Sequence, residues 1–309
     1  MGFNYHLPRS QRVGFLGPEG SFSHEATVSL GAENAVAYRN LADLLAAVTN
    51  GEITQALVPL ENALEGTVAA TIDGLVFDHE LFIVHELILP ISLHLLAKPG
   101  VSVDEVTSVR SYVHALGQVR NFLSSRGLTT VETASTSQAA REVAESSEKW
   151  AAVGSRLAGQ LFGLDPIASD IADHGANATK FVLVEKDRVA LPTGHDRTSI
   201  VCFQDADRPG SLFGILGRFA SRDINLTRLE SRPTKQGLGN YCFVIEFEGH
   251  IGDDVVSDCL IDLQAHLARV KFLGSYPVTG EQSHDRRGDV EQARLRADEW
   301  VSQIKNLIS

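Results

Sequence analysis

TSIVCFQ (198–204), SLFGILGRFASR (211–222), LTRLES (226–231), NYCFVIEFEGH (240–250), DVVSDCLIDLQAHLAR (254–269) and VKFLGSY (270–276) follow one another in the last third of the chain. Four of these runs are rich in β-branched and aromatic residues and read as strands. The other two place apolar residues three and four apart and read as amphipathic helices. The order is βαββαβ over about 80 residues, a ferredoxin-like arrangement.

Immediately upstream, VEKDRVALPTGHDRTS (184–199) loses all periodicity to Pro, Gly and charge, which marks a linker. Before it lies a different grammar. VGFL (13–16), a helix near 23–30, LADLLAAVTNG (41–51) and ALVPL (56–60) alternate short apolar runs with helical segments. LFIVHEL (81–87), ISLHLLA (91–97), HALGQVRNFLSSRG (114–127), TVETA (130–134), SQAAREVAES (137–146), WAAVGS (150–155) and KFVLVEK (180–186) continue it. This predicts parallel α/β layers over residues 12–187, enough chain for two lobes. The second unit is set at 196–277. In the tail, 281–309, Val290, Ala293, Ala297, Trp300, Val301, Ile304, Leu307 and Ile308 recur at helical steps. They predict an amphipathic helix that packs on the body or across an oligomer interface.

Of 309 residues, 43% are hydrophobic and the formal net charge is -12, so a nucleic-acid partner is not expected. Cys202, Cys242 and Cys259 have no zinc-like spacing and are expected as buried thiols; no metal or cofactor is expected. MGFNYHLPRSQR lacks the apolar core of a secretion signal and no stretch approaches a membrane span, so a cytoplasmic protein is expected.

Several loops carry polar groups where α/β sheets hold ligands. GPEGSFS (17–23) follows a strand and opens a helix; it reads either as an anion cradle with Ser21 and Ser23 or as a capped turn. VPLENALEGTV (58–68) sets Glu61 and Asn62 at a strand end, as ligand groups or as turn formers. In SYVHALGQVRNFL (111–123), Ser111 and Gln118 lie two helical turns apart, and Ser135, Thr136 and Ser137 open another helix. DHGANATKFVLVE (173–185) crowds Asn177, Thr179 and Lys180 at the entry of an apolar strand, suiting a polar ligand or a polar loop alike. His24 and His174 read as structural or surface residues.

Taken in order, GPEGSFS, VPLENALEGTV, SYVHALGQ, STSQA (135–139), NATKF (177–181) and LESRP (229–233) resemble the prephenate dehydratase family, over Val13 to about Tyr276. The resemblance implies two α/β lobes around a cleft, like a periplasmic binding protein, a C-terminal ACT regulatory domain, and a homodimer or homotetramer. It implies a carbon–oxygen lyase of phenylalanine biosynthesis that needs no cofactor and turns prephenate into phenylpyruvate under control by L-phenylalanine.

Thr179 corresponds to the family's catalytic threonine, and Asn62, Ser111 and Gln118 to its amide, serine and glutamine. Ser21, Ser135 and Thr136 are placed at the substrate carboxylates, with Glu61, Asn177, Lys180 and Phe181 as further substrate-binding candidates. Gly210, Ser211, Leu212, Phe213, Asn225, Leu226, Glu230, Ser231, Arg232 and Pro233 correspond to phenylalanine-binding segments. Lys180 stands where the family usually has arginine, Ala63 where serine is frequent, and Tyr112, Val113 and His114 replace His, Pro and Gln. A solute-binding protein without chemistry and an enzyme acting on arogenate are the rival readings. A chorismate mutase domain is not expected, since it would need more chain than the dozen residues before Val13.

Overall fold

The computed structural model describes residues 7, 11–204, 208–235, 237, 239–278, 296–297, 299–303 and 305–306. Helical and alternating segments resolve into β1 (Arg12–Leu16), α1 (Phe22–Ser29), β2 (Asn34–Tyr38), α2 (Leu41–Thr49), β3 (Gln55–Asn62), β4 (Gly66–Thr67), α3 (Ala69–Asp73) and β5 (Phe82–Pro90) of a first lobe. The chain then crosses into a second. There β6 (His94–Ala97), β7 (Ser108–Ser111), α4 (Val113–Gln118), α5 (Arg120–Ser125), β8 (Thr130–Glu132), α6 (Thr136–Glu145), β9 (Trp150–Gly154), α7 (Arg156–Phe162) and β10 (Asp165–Ala168) follow. Residues 169–177 cross back, and β11 (Ala178–Glu185) inserts into the first sheet. The orders are β2-β1-β3-β11-β5 and β10-β6-β9-β7-β8.

The sequence predicts parallel layers, and β2-β1-β3 and β8-β7-β9 are parallel. The sheets as wholes are mixed: β11 is antiparallel to β3 and β5, and β6 to β9 and β10. The reason is the double crossing. A strand arriving from the other lobe starts at the cleft, whereas β1, β3, β7 and β9 end there.

The third unit comprises β12 (Asp196–Phe203), α8 (Ser211–Ala220), β13 (Leu226–Pro233), β14 (Tyr241–Glu248), α9 (Asp254–His266) and β15 (Arg269–Pro277), with sheet order β13-β14-β12-β15. Ile200, Cys202 and Ile245 face α8 and α9, packing on Ile215, Phe219 and Cys259. The opposite face carries Val201, Val244, Leu273 and Tyr276 into one core with Ile83, Val182 and Val184 of the first lobe. Strands covered on both sides need apolar residues in succession, which is why TSIVCF does not alternate. Burial pushes the Cys202 thiol up to about 12 and those of Cys242 and Cys259 to about 11, so all three are unreactive.

His85, on β5, is buried, and burial pushes its imidazole down to about 4. An unfolded chain binds that proton near the ordinary value of 6.5, so the neutral ring's contribution is complete above about 6.5 and is lost as pH falls through 4. The shift corresponds to about 3 kcal/mol. Denaturant midpoints should therefore fall steadily between those pH values, and the fall should be visibly shallower in His85→Gln. Identical pH profiles would remove His85 from the account.

The described part of the tail is helical and exposed; Trp300 is 62% exposed. Its expected packing on the body does not occur within one chain among the described residues. Val290, Ala293, Ile304, Leu307 and Ile308 lie outside them. Also among the described residues, no helix is long and apolar enough to cross a membrane.

Candidate active site

At the mouth of the crossing segments, β3 and β11 lie side by side with Thr179 opposite Asn62 and Lys180 opposite Glu61. Because side chains alternate along a strand, these two pairs point to opposite faces. The Asn62–Thr179 face turns toward the second lobe, whose Gln118 its hydrogen-bond network reaches.

The Asn62 amide donates to Thr179 Oγ1 at 2.9 Å and to Asn177 Oδ1 at 2.9 Å. Its own oxygen accepts from the N–H groups of Leu64 at 2.9 Å and Glu65 at 3.1 Å. Both amide hydrogens and both lone-pair directions are thus engaged, so Asn62 orients Thr179 instead of gripping a ligand. Asn177 donates onward to Gln118 Oε1 at 2.9 Å, which ties the crossing segment to α4 of the second lobe. The result is a chain from Gln118 through Asn177 and Asn62 to Thr179, drawn from three separate segments. Since Thr179 Oγ1 already accepts from an amide, its O–H is directed to donate elsewhere, and polarisation by the Asn62 bond strengthens that donor.

The Glu61–Lys180 face looks the other way, onto the third unit. Lys180 Nζ lies 2.7 Å from Glu246 and 3.1 Å from Glu86, and Arg197 pairs with the same two carboxylates at 2.8 Å (Glu86) and 3.3 Å (Glu246). Burial alone would raise the Glu246 carboxyl, but Lys180 and Arg197 hold it below the ordinary range. Tyr276 completes the group by donating to Glu246 at 3.1 Å. Lys180 was expected to bind substrate; it joins a neutral quartet between the units, because its side chain must point away from the face that Thr179 occupies. Glu61 is corrected for the same reason: it faces Arg228 at 3.7 Å.

Two further expectations change. Phe181 is buried in the first lobe's core with Leu57, Val84 and Leu183, closed off from the cleft. Ser111 is fully buried as the last residue of β7, and its hydroxyl donates to the Val153 carbonyl at 2.6 Å. It ties β7 to β9 and caps nothing; Tyr112 is the residue before α4.

The loop 17–21 serves as an interlobe brace. Its Gly17, Gly20 and Ser21 N–H groups bond to Tyr38 O, His24 Nδ1 and Pro18 O. Ser21 caps α1, accepting from His24 N and donating to Leu16 O. Across the cleft, Ser137 donates to Glu19 O and Ser155 to Gly20 O, the latter at 2.9 Å. Gly20 has φ +82, and a Cβ there would sit 2.9 Å from Ser137 Oγ, so only glycine permits this approach. Ser135 caps α6 through Gln138 N, with Thr136 beside it. His24, lowered by burial, stacks on Phe15 at 4.6 Å and keeps the structural role expected of it. The starts of α1 and α6 thus meet at the brace, a second polar group apart from the Thr179 chain.

Sequence reading missed Thr67, Glu86, Arg197, Arg228 and Glu246. A signal existed: Glu86 in LFIVHEL and Glu246 in FVIEF are carboxylates set among mostly apolar residues within strands, and a buried charge demands a partner.

Fold and site define a class: a two-lobed α/β domain with a polar interlobe site, docked on a βαββαβ unit. Family models described as prephenate dehydratase and ACT domain match residues 13–189 and 198–264. Prephenate dehydratase of Amycolatopsis methanolica is 39% identical over 271 residues, covering 86% of this chain and 88% of that one. That of Mycobacterium marinum (strain ATCC BAA-535 / M) is 34% identical over 309 residues, covering 95% and 96%. The solved structure of prephenate dehydratase from Arthrobacter aurescens in complex with L-Phe superposes with a TM-score of 0.82 at 34% identity, covering 96% of this chain and 99% of that one. The chain belongs to the prephenate dehydratase family.

Proposed function

We propose that the chain converts prephenate to phenylpyruvate in the cleft between its lobes, residues 12–187, and that residues 196–277 adjust this activity on binding L-phenylalanine. The observation that carries the reading is the Gln118–Asn177–Asn62–Thr179 chain, which presents one polarised hydroxyl donor at the cleft.

The chemistry needs little more. The ring carboxylate leaves as carbon dioxide, and the electron pair of its carbon–carbon bond becomes part of the aromatic ring. The ring carbon–oxygen bond breaks at the opposite carbon; the leaving hydroxide takes one proton from solvent and departs as water. Aromatisation supplies the driving force, so the protein's tasks are to orient a dianion and to assist the leaving oxygen. Thr179 donates its hydrogen bond to that oxygen; a threonine is a weak acid, so it stabilises developing charge more than it transfers a full proton. The helix starts at Ser21, Ser135 and Thr136 supply the polar surface for the carboxylates.

The effector segments favour an oligomer. Gly210, Ser211, Leu212 and Phe213 lie at the start of α8, while Asn225 and Leu226 follow its far end, a helix of 10 residues apart, or roughly 15 Å. Phe213 is 80% exposed and β13 is an open edge. A second copy laid against this side brings the two segments together, as a cytoplasmic homodimer or homotetramer requires. Glu230 and Arg232 turn toward the first lobe, whereas Ser231 and Pro233 are exposed.

Incubating the purified chain with prephenate or with arogenate, with and without L-phenylalanine, tests the reading. Phenylpyruvate from prephenate, with a rate that L-phenylalanine changes, is the expected result. Binding without product sinks it.

A further inference from the structure

Besides the Lys180 group, a short piece of chain joins the substrate cleft to the ACT sheet: the hairpin formed by β3 and β4. It pairs only Glu61 with Thr67 and Asn62 with Gly66. Its tip touches the second lobe, with Glu65 Oε1 3.3 Å from His114 and 3.5 Å from Gln118 Nε2. Its turn is folded around the Asn62 oxygen, and Asn62 in turn holds Thr179. So short a ladder does not fix its own geometry.

The fixing group comes from the other unit. Arg228 on β13 donates to Thr67 Oγ1 at 2.7 Å and pairs with Glu230 at 2.7 Å. The Thr67 hydroxyl donates to the same Glu230 oxygen at 2.8 Å. A guanidinium, a hydroxyl and a carboxylate form a closed triangle in which each bond to Arg228 or Glu230 is charge-assisted. Arg228 also faces Glu61 at 3.7 Å, so it reaches both members of one cross-strand pair. One register step further along the hairpin lies Asn62.

We infer that Arg228 is a positioning residue for the reaction: from the ACT sheet it holds Thr67, and through the hairpin it sets the Asn62 amide that aims the Thr179 hydroxyl. This rests on the dehydratase reading above. Displacing a reacting group by an ångström or so lowers turnover steeply while leaving binding of the rest of the substrate in place.

The test is steady-state turnover of prephenate by the full-length chain. Arg228→Met and Thr67→Val should each lower kcat about 10- to 100-fold with KM little changed. The double variant should be no slower than the slower single one, because both remove the same contact. Arg228→Lys should recover part of the loss. Arg269→Met is the control. It removes another arginine that bridges the same units, to Glu80 at 3.4 Å, and should leave kcat as in the wild type. Where Arg228→Met melts below the assay temperature, Thr67→Val decides alone, since it breaks the triangle from the catalytic side. A wild-type kcat in Arg228→Met or Thr67→Val, multiplicative losses in the double variant, or an equal loss in Arg269→Met overturns the inference. A wild type that does not turn over prephenate overturns the dehydratase reading, and this inference with it.

Discussion

Thr179→Ala should lose about 100- to 1,000-fold in kcat, the usual loss for one preorganised donor at developing negative charge. KM should change far less, because the lost bond is made mainly as the ring oxygen departs. Thr179→Ser keeps a hydroxyl within reach of the Asn62 amide but gains a free rotor, so it should retain part of the activity. Thr179→Val, which keeps the shape and loses the oxygen, should resemble the alanine variant. The fold should survive all three. Asn62 retains its bond to Asn177 and a longer one of 3.4 Å to the Ala178 carbonyl, so the stability loss should stay near 1 kcal/mol. Initial rates of phenylpyruvate formation beside thermal melts separate the two effects. Wild-type turnover by Thr179→Val would remove the hydroxyl from the mechanism.

The same strand shows how far sequence carries. NATKF announced a polar cluster at a strand entry, and Asn177 and Thr179 do meet Asn62 and Gln118, from segments over fifty residues apart. The family resemblance, carried by motif order, is what placed those four in one site; as bare residues, each loop left a turn or cap reading open. Lys180 parts from its two polar neighbours: two-residue alternation forbids Thr179 and Lys180 from sharing a face. What alternation could not supply is the partner. Lys180, Glu86, Arg197 and Glu246 come from four strands of two units, and only the docking of the ACT sheet on the first lobe makes them a neutral group. Ser111 differs for another reason: a hydroxyl at a strand end reads as a cap until β9 is seen to claim it through Val153.

That docking includes a close backbone approach at Gly274, and Gly274→Ala should break it. β15 is the edge of the ACT sheet and β5 the edge of the first lobe's sheet, and Gly274 lies where the two backbones meet. Its φ is +139, a region essentially closed to other residues. A Cβ there would overlap the Ile83 carbonyl oxygen and lie 2.8 Å from the Ile83 nitrogen. Backbone atoms in a sheet cannot rotate aside as a side-chain tip can, so β15 has to retreat from β5. Retreat pulls on Lys271, whose ammonium donates to the Val76 and His79 carbonyls, and on Tyr276, which holds Glu246. Backbone strain and overpacking together should cost about 3 kcal/mol or more, a fall in melting midpoint of roughly 10 °C. Gly163→Ala makes the comparison fair: Gly163 also has positive φ, +66, but nothing lies within 4 Å of its would-be Cβ, so only the conformational penalty applies, about 1 kcal/mol. Equal midpoints for the two variants would mean that the sheets are not pressed edge to edge at Ile83. The expected gap between them measures the contact through which the ACT unit bears on the strand that neighbours β11, and so on the strand that carries Thr179.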